Sequence, residues 1–180
     1  MRIFAIDPGT TQSGWVVYDA DAHAVTDRGV TNNHELLRMI EDACPGGDRE
    51  AMQRLRGCTM AIEMIASQGM AVGAEVFETV VWVGMFMHAW QDDYSSVQRV
   101  TRNQVKVHVC GSAKAKDANV RQAIIDLFPG TGGGKTPQVG TSKQPGPLFG
   151  MNSHMWPALG VALTVKEKLA GARRSRRVRL

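Results

Sequence analysis

Read from the amino terminus, apolar and polar positions alternate before the chain turns helical. Residues 2–7 (RIFAID) and 15–18 (WVVY) flank a small-residue turn, PGTTQSG, in which Pro8, Gly9 and Gly14 mark strand, turn and strand. Residues 25–30 predict a third strand. Asn33 stands as an N-cap ahead of ELLRMIEDAC, whose apolar positions 36, 37, 40 and 43 follow a helical period, and Pro45-Gly46-Gly47 ends that helix. A polar segment leads to CTMAIE (58–63), a short apolar strand closing on an acid. Residues 70–90 read as a long helix, apolar nearly all round and so buried or at an interface. A fifth strand is expected at 97–100 and helices at 103–109, 118–128 and 153–170. Residues 129–150, rich in Gly, Pro, Thr, Lys and Gln, read as a mobile loop. Hairpin-linked strands followed by strands separated by helices predict an α/β fold with a mixed sheet and helices on its faces.

A length of 180 residues with 43% hydrophobic and 21% charged positions predicts one globular domain, taken as 1–170 with a basic disordered tail over 171–180. The formal charge is +4, but Arg173, Arg174, Arg176, Arg177 and Arg179 supply five of the 21 basic residues. Without them sixteen bases face seventeen acids, so the body is near neutral and the tail basic. Three scattered cysteines, Cys44, Cys58 and Cys110, form no CxxC pair; they suit a reducing cytoplasm better than a disulfide framework or a zinc site. No secretory signal is expected at the start. The most apolar stretch, 70–90, is interrupted by Glu75 and Glu78, leaving only 12 uncharged residues from Thr79 to Trp90, too few to span a bilayer, so no membrane partner is expected.

Candidate chemistry begins at Asp7. An acid at the end of an apolar strand, followed by a Gly- and hydroxyl-rich turn, offers a carboxylate beside free backbone N–H groups and suits a divalent cation or a phosphate. Asp-Pro-Gly is equally good turn chemistry. Glu63 repeats the context, and a carboxylate ending a buried strand is costly unless it is paired or metal-bound. If the two strands are neighbours, their hard oxygens favour Mg²⁺ or Mn²⁺ over zinc. His154 leads the last helix and offers a third ligand or a base, although a lone His more often caps or packs. Arg99, Arg102, Lys106, Lys114, Lys116 and Arg121, relieved only by Asp117, make a basic stretch suited to a phosphate backbone, or else a solvated helix face. Gly130–Thr136 imitates a phosphate-binding loop, but position 129, where its first Gly belongs, is Pro129, and Pro137 stands where a helix should start. No nucleotide cofactor is expected.

With these residues in order, the chain resembles the RuvC family of Holliday-junction resolvases, in its phage-encoded branch. The matching pieces are AIDPGTTQSGW, AIEMIASQGMAVGAEVFETVVWVGMF, TRNQVKVHVCGSAKAKDANVRQAI and SHMWPALGVALT. The resemblance implies a ribonuclease H-like fold with a five-stranded mixed sheet flanked by helices. It also implies a homodimer that nicks two strands of a four-way DNA junction, in the cytoplasm of a bacterial host if phage-encoded. By motif, Asp7, Glu63 and His154 are the implied metal ligands, holding two Mg²⁺ or Mn²⁺ ions, and Lys106 and Lys116 the lysines near the scissile phosphate. Pro157 stands where many relatives have a carboxylate, and Glu167 is roughly 20 Å further along the helix at 1.5 Å per residue. The methionine-rich run 64–70 is a candidate wedge into unstacked bases at the crossover, or simply fills core gaps. Two other readings stay open: a related ribonuclease acting on structured RNA, and a junction-binding protein that does not cut. The Asp-x-Gly-Thr turn also resembles the first phosphate motif of actin-like ATPases, but those need two such domains and 180 residues cannot hold both.

Overall fold

A computed structural model of the chain describes residues 1–43, 47–66, 73–90 and 96–177, the side chains of 172–177 excepted. Strands β1 (Arg2–Asp7), β2 (Gln12–Asp19) and β3 (Ala24–Asn32) form an antiparallel meander. Strand β4 (Cys58–Met64) runs parallel to β1, and β5 (Gln98–Thr101) parallel to β4, giving the order β3-β2-β1-β4-β5. The central strands are buried on both faces, which is why β1 reads as a nearly unbroken apolar run from Ile3 to Ile6.

Alternation along the strands divides the core into two. Ile3, Ala5, Val16, Tyr18, Ala61 and Val100 face helices α4 (Arg102–Cys110), α5 (Asp117–Asp126) and α6 (Met155–Arg177). Phe4, Ile6, Val17, Met60 and Ile62 face the other way, onto α1 (Asn33–Asp42) and α3 (Ala74–Ala89). Helix α6 is the main cover of the first face, with Ala158, Leu159, Val161, Ala162 and Val165 fully buried. At Gly160 a Cβ would come within 2.8 Å of Val105, so the glycine lets α4 and α6 pack closely.

The structure moves several expected boundaries. The N-cap of α1 is Asn32, not Asn33, because the Asn33 side chain is committed to the turn after β1. A short helix α2 (Arg49–Leu55) occupies the polar segment. Its only buried residue is Leu55, so it has no apolar period to betray it, and the Asp48 side chain caps it by accepting from the Glu50 and Ala51 amides. Helix α3 begins at Ala74; residues 70–72, like most of the methionine-rich run and Cys44, lie outside the described residues. Met64 is part of β4 and packs against the core. Helix α6 continues to Arg177 instead of stopping at 170, since Ala, Arg and Lys favour helix and no proline interrupts them.

Residues 129–150 are cross-linked by their own backbone. Gly132 N–H donates to Pro137 O at 2.8 Å, Gly146 N–H to Val139 O at 3.0 Å and Leu148 N–H to Gln138 O at 2.8 Å. Gly140 and Pro145 form a β-bridge, and Leu148 is fully buried. A Cβ at Gly140 or Gly146 would lie 2.2 or 2.3 Å from backbone atoms across the loop. The glycines that suggest mobility from composition are the residues that permit this close packing.

Candidate active site

The turn after β1 is held in place before any chemistry is considered. Ser13 Oγ donates to Asn33 Oδ1 at 2.7 Å, and Asn33 Nδ2 donates to Gly9 O at 2.9 Å. The Asn33 amide donates to Thr11 O, and the Gly9 amide to Ser13 Oγ. Both side chains are fully buried, so these bonds are strongly directed and fix where β1 ends.

Asp7 ends that strand. Its neighbour β4 is in parallel register, Ile6 against Ile62, so Glu63 follows one step on, level with Asp7. Alternation points both carboxylates to the face covered by α4–α6. Both line a cleft of about 590 Å³ together with Arg102, Asp117, Arg121, His154 and Pro157. The first residue of α6 stands close by, and His154 just before it donates from Nδ1 to Asp7 Oδ2 at 3.0 Å. Gly14, opposite Asp7 in the β1–β2 register, makes this approach possible: a Cβ there would meet the His154 carbonyl at 2.3 Å.

Glu63 Oε2 accepts from Arg102 Nη1 at 3.3 Å. The other Arg102 nitrogen reaches Asp117 Oδ1 at 2.9 Å, and Lys106 Nζ stands 3.8 Å from the same oxygen. Arg102 is presented here because β5 runs directly into α4, whose N-terminus is fixed by the Thr101–Gln104 capping box. Arg121 lies over the Trp156 ring at 4.9 Å from its centroid.

Electrostatically the two carboxylates are unsettled. Burial raises the Asp7 pKa above the ordinary aspartate value, although the His154 hydrogen bond and the charges of His154 and Arg102 pull it back. Glu63 is pushed up to about 7, by burial first and by the Asp7 charge second, against the pull of Arg102. Arg102 is held further in its charged form: burial opposes the charge, but Glu63, Asp117 and Asp7 outweigh it. Two largely buried acids, each raised first by burial and Glu63 further by the Asp7 charge, create a demand for a cation that one arginine meets only in part.

That donor set fits a hard divalent ion at the Asp7–Glu63 pair. Among the described residues, no group of three His, Cys, Asp or Glu side chains has metal-holding geometry. His154 is engaged with Asp7 through Nδ1; in the neutral ring this leaves Nε2 with its lone pair, available as ligand or base. Pro157 lines the cleft, and Glu167 does not.

The expected basic residues divide. Arg102 and Arg121 line the cleft and Lys106 reaches its Asp117 wall. Lys114 and Lys116 do not line it; Lys116 is the N-cap of α5. Arg99 alternates with Val100 along β5 and so points to the opposite face of the sheet, which takes it out of the basic stretch. Asp117 is the residue that sequence reading undervalues: it looks like a lone acid relieving a basic run, yet it ties Arg102 and Lys106 together. An acid in the first turn of a helix within a basic stretch is the available signal.

A mixed five-stranded sheet in the order 3-2-1-4-5, flanked by helices, defines a ribonuclease H-like fold. Among solved structures the chain is similar to Thermus thermophilus RuvC, with 19% identity, a TM-score of 0.62, and coverage of 95% of this chain and 97% of that one. It is similar also to T. thermophilus RuvC in complex with Holliday junction substrate, with 20% identity, a TM-score of 0.59, and coverage of 91% and 92%. No family model and no curated protein sequence matches the chain.

Proposed function

We propose that the chain is a metal-dependent endonuclease of the phage RuvC type that resolves four-way junctions and other branched DNA. In this reading it works as a homodimer making paired nicks, in the cytoplasm of the host cell. The observation that carries the reading is the pair Asp7 and Glu63: two largely but not fully buried carboxylates level with each other on adjacent parallel strands, opening into one cleft with cationic side chains beside them. The RuvC-like fold over nearly the whole chain supports it.

In this reading Asp7 and Glu63 would hold Mg²⁺ or Mn²⁺ in a site of two ions, with His154 joining as the third ligand on a rearrangement, since the three side chains do not form a metal-holding group as they stand. The metal supplies Lewis acidity at a phosphodiester and a water that ionises near neutral pH. His154 orients Asp7 through Nδ1 and keeps Nε2 for a ligand or a proton. Arg102 and Lys106, released from Asp117 by an incoming phosphate, neutralise charge as the phosphorus centre rearranges. Lys116 acts from the start of α5, next to Asp117. Lys114, Lys116 and Arg121 contribute to binding by counterion release. On α3, Phe77 is 61% and Val81 57% exposed, and this apolar surface suits the second protomer.

Junction binding without cleavage has an observation of its own, since Glu63 is already bonded to Arg102 and Pro157 lines the cleft at the position where the resemblance implies an acid. One experiment separates the readings. The protein is incubated with a four-way DNA junction, a linear duplex or a structured RNA, in Mg²⁺ or in EDTA. Paired nicks in the junction that require Mg²⁺ are expected. Asp7→Asn should lower nicking by at least about 100-fold while junction affinity changes less than about threefold, because it removes a metal ligand and no cation. Junction binding in EDTA with no nicking in Mg²⁺ selects the non-cleaving protein, and preferential RNA cleavage selects the ribonuclease. Wild-type nicking by Asp7→Asn would refute the site.

A further inference from the structure

A second cleft, of about 570 Å³, lies beside the first. One face of α5 lines it with Ala118, Arg121, Gln122 and Ile125, and the cross-linked loop lines the other side with Gly134, Lys135, Thr136 and Thr141. Ala118 and Arg121 belong to both clefts, so the two form one continuous track over the start of α5. No acidic side chain lines the second cleft, and from Leu127 to Lys166 the chain carries no Asp or Glu at all. Lys135 and Thr136 are exposed, and Lys135 makes no ion pair among the described residues. Because the loop is held by its own hydrogen bonds, a ligand would meet these groups without ordering the chain first.

We propose that this second cleft is a phosphate subsite for the same nucleic-acid strand, with Lys135, Thr136 and Arg121 holding backbone phosphates away from the reacting one. The inference rests on the nuclease reading above. The distance suits it: Ala118 to Ile125 spans about 10 Å of helix at 1.5 Å per residue, roughly three base steps at 3.4 Å each. The glycines around Lys135 do not form a nucleotide-binding loop, since no strand leads into them and Pro137 follows directly; they shape a rigid wall that a sugar-phosphate backbone can approach closely.

The test measures affinity for a four-way DNA junction against salt concentration, in EDTA to prevent cutting, with the full chain. Lys135→Ala should weaken binding about five- to tenfold and make the slope of log K against log salt shallower by about one, as expected for one lost phosphate contact. Thr136→Asp, which places a negative charge in the same cleft, should weaken it more. Lys143→Ala removes an equal charge from an exposed position of the same loop that does not line the cleft, and should change affinity less than about twofold. Unchanged melting temperatures would confirm that each variant is folded. If Lys135→Ala binds like wild type, or no worse than Lys143→Ala, the subsite is wrong and the nuclease reading stands. Saturable ATP binding that Lys135→Ala abolishes, with junction affinity unaltered, would also overturn the subsite. If the wild-type protein binds no nucleic acid, the functional reading fails and takes the subsite with it.

Discussion

Glu63 carries the sharpest consequence at the scale of single residues. Its carboxyl is pushed from the usual value of 4.5 up to about 7, and Asp7 is displaced in the same direction. A carboxyl whose pKa rises on folding favours the fold while it is protonated. That advantage is complete below pH 4.5 and is lost as the pH climbs towards 7. Without metal, the melting temperature should therefore fall between about pH 5 and pH 8. Glu63→Gln should flatten that fall and leave the protein more stable than wild type at pH 8 in EDTA, by about 2–3 kcal/mol. Thermal melts across pH check this, and a wild-type profile that rises over the same range would contradict it. Single residues were also where the sequence was most legible. Asp7 and Glu63 announce themselves because a carboxylate closing an apolar strand is conspicuous, and His154 because it leads a helix after a loop. Asp117 and Gly14 stay hidden because their roles are relational: one acid joins two cations from another helix, and one missing Cβ matters only once α6 lies against β2.

Elements explain why those side chains converge. Parallel pairing of β1 with β4 sets the two acids level, while the Ser13–Asn33 bonds fix the end of β1 and Gly14 admits the start of α6. Gly14→Ala would force the His154 backbone away from a 2.3 Å contact. The expected cost is about 1–3 kcal/mol of stability, with a fall in metal-dependent nicking larger than any loss of junction binding. Melting curves and nicking assays read the two effects separately; equal stability and activity would show that His154 does not depend on this approach. All five strands were readable from their apolar runs and turn residues, because burial imposes a pattern on sequence. Helix α2 was not, since it buries only Leu55. The compact form of 129–150 was not readable either, since backbone-to-backbone bonds between glycine segments leave no periodic trace.

For the whole molecule, the exposed apolar surface of α3 is the feature a monomer leaves unexplained. Phe77, Val80, Val81 and Met85 stand on the outer side of a helix whose inner side, through Val83 and Phe86, is buried in the core. In the proposed dimer this surface is covered. Phe77→Asp should convert a dimer to a monomer in sedimentation, with the fold retained because the side chain is exposed. Nicking of one strand should outlast paired nicking. A wild-type protein that sediments as a monomer at tens of micromolar would remove the dimer from the account. No helix among the described residues is long and apolar enough to cross a membrane.

What all of this depends on is whether Asp7 and Glu63 serve one cation. Paramagnetic resonance of free Mn²⁺, titrated with the wild-type protein, Asp7→Asn and Glu63→Gln at pH 8, reads that directly. The wild-type protein should bind Mn²⁺, and each single substitution should weaken binding at least about tenfold, because each removes half of a shared pair of hard oxygen ligands. Equal Mn²⁺ affinity in all three proteins would contradict the account.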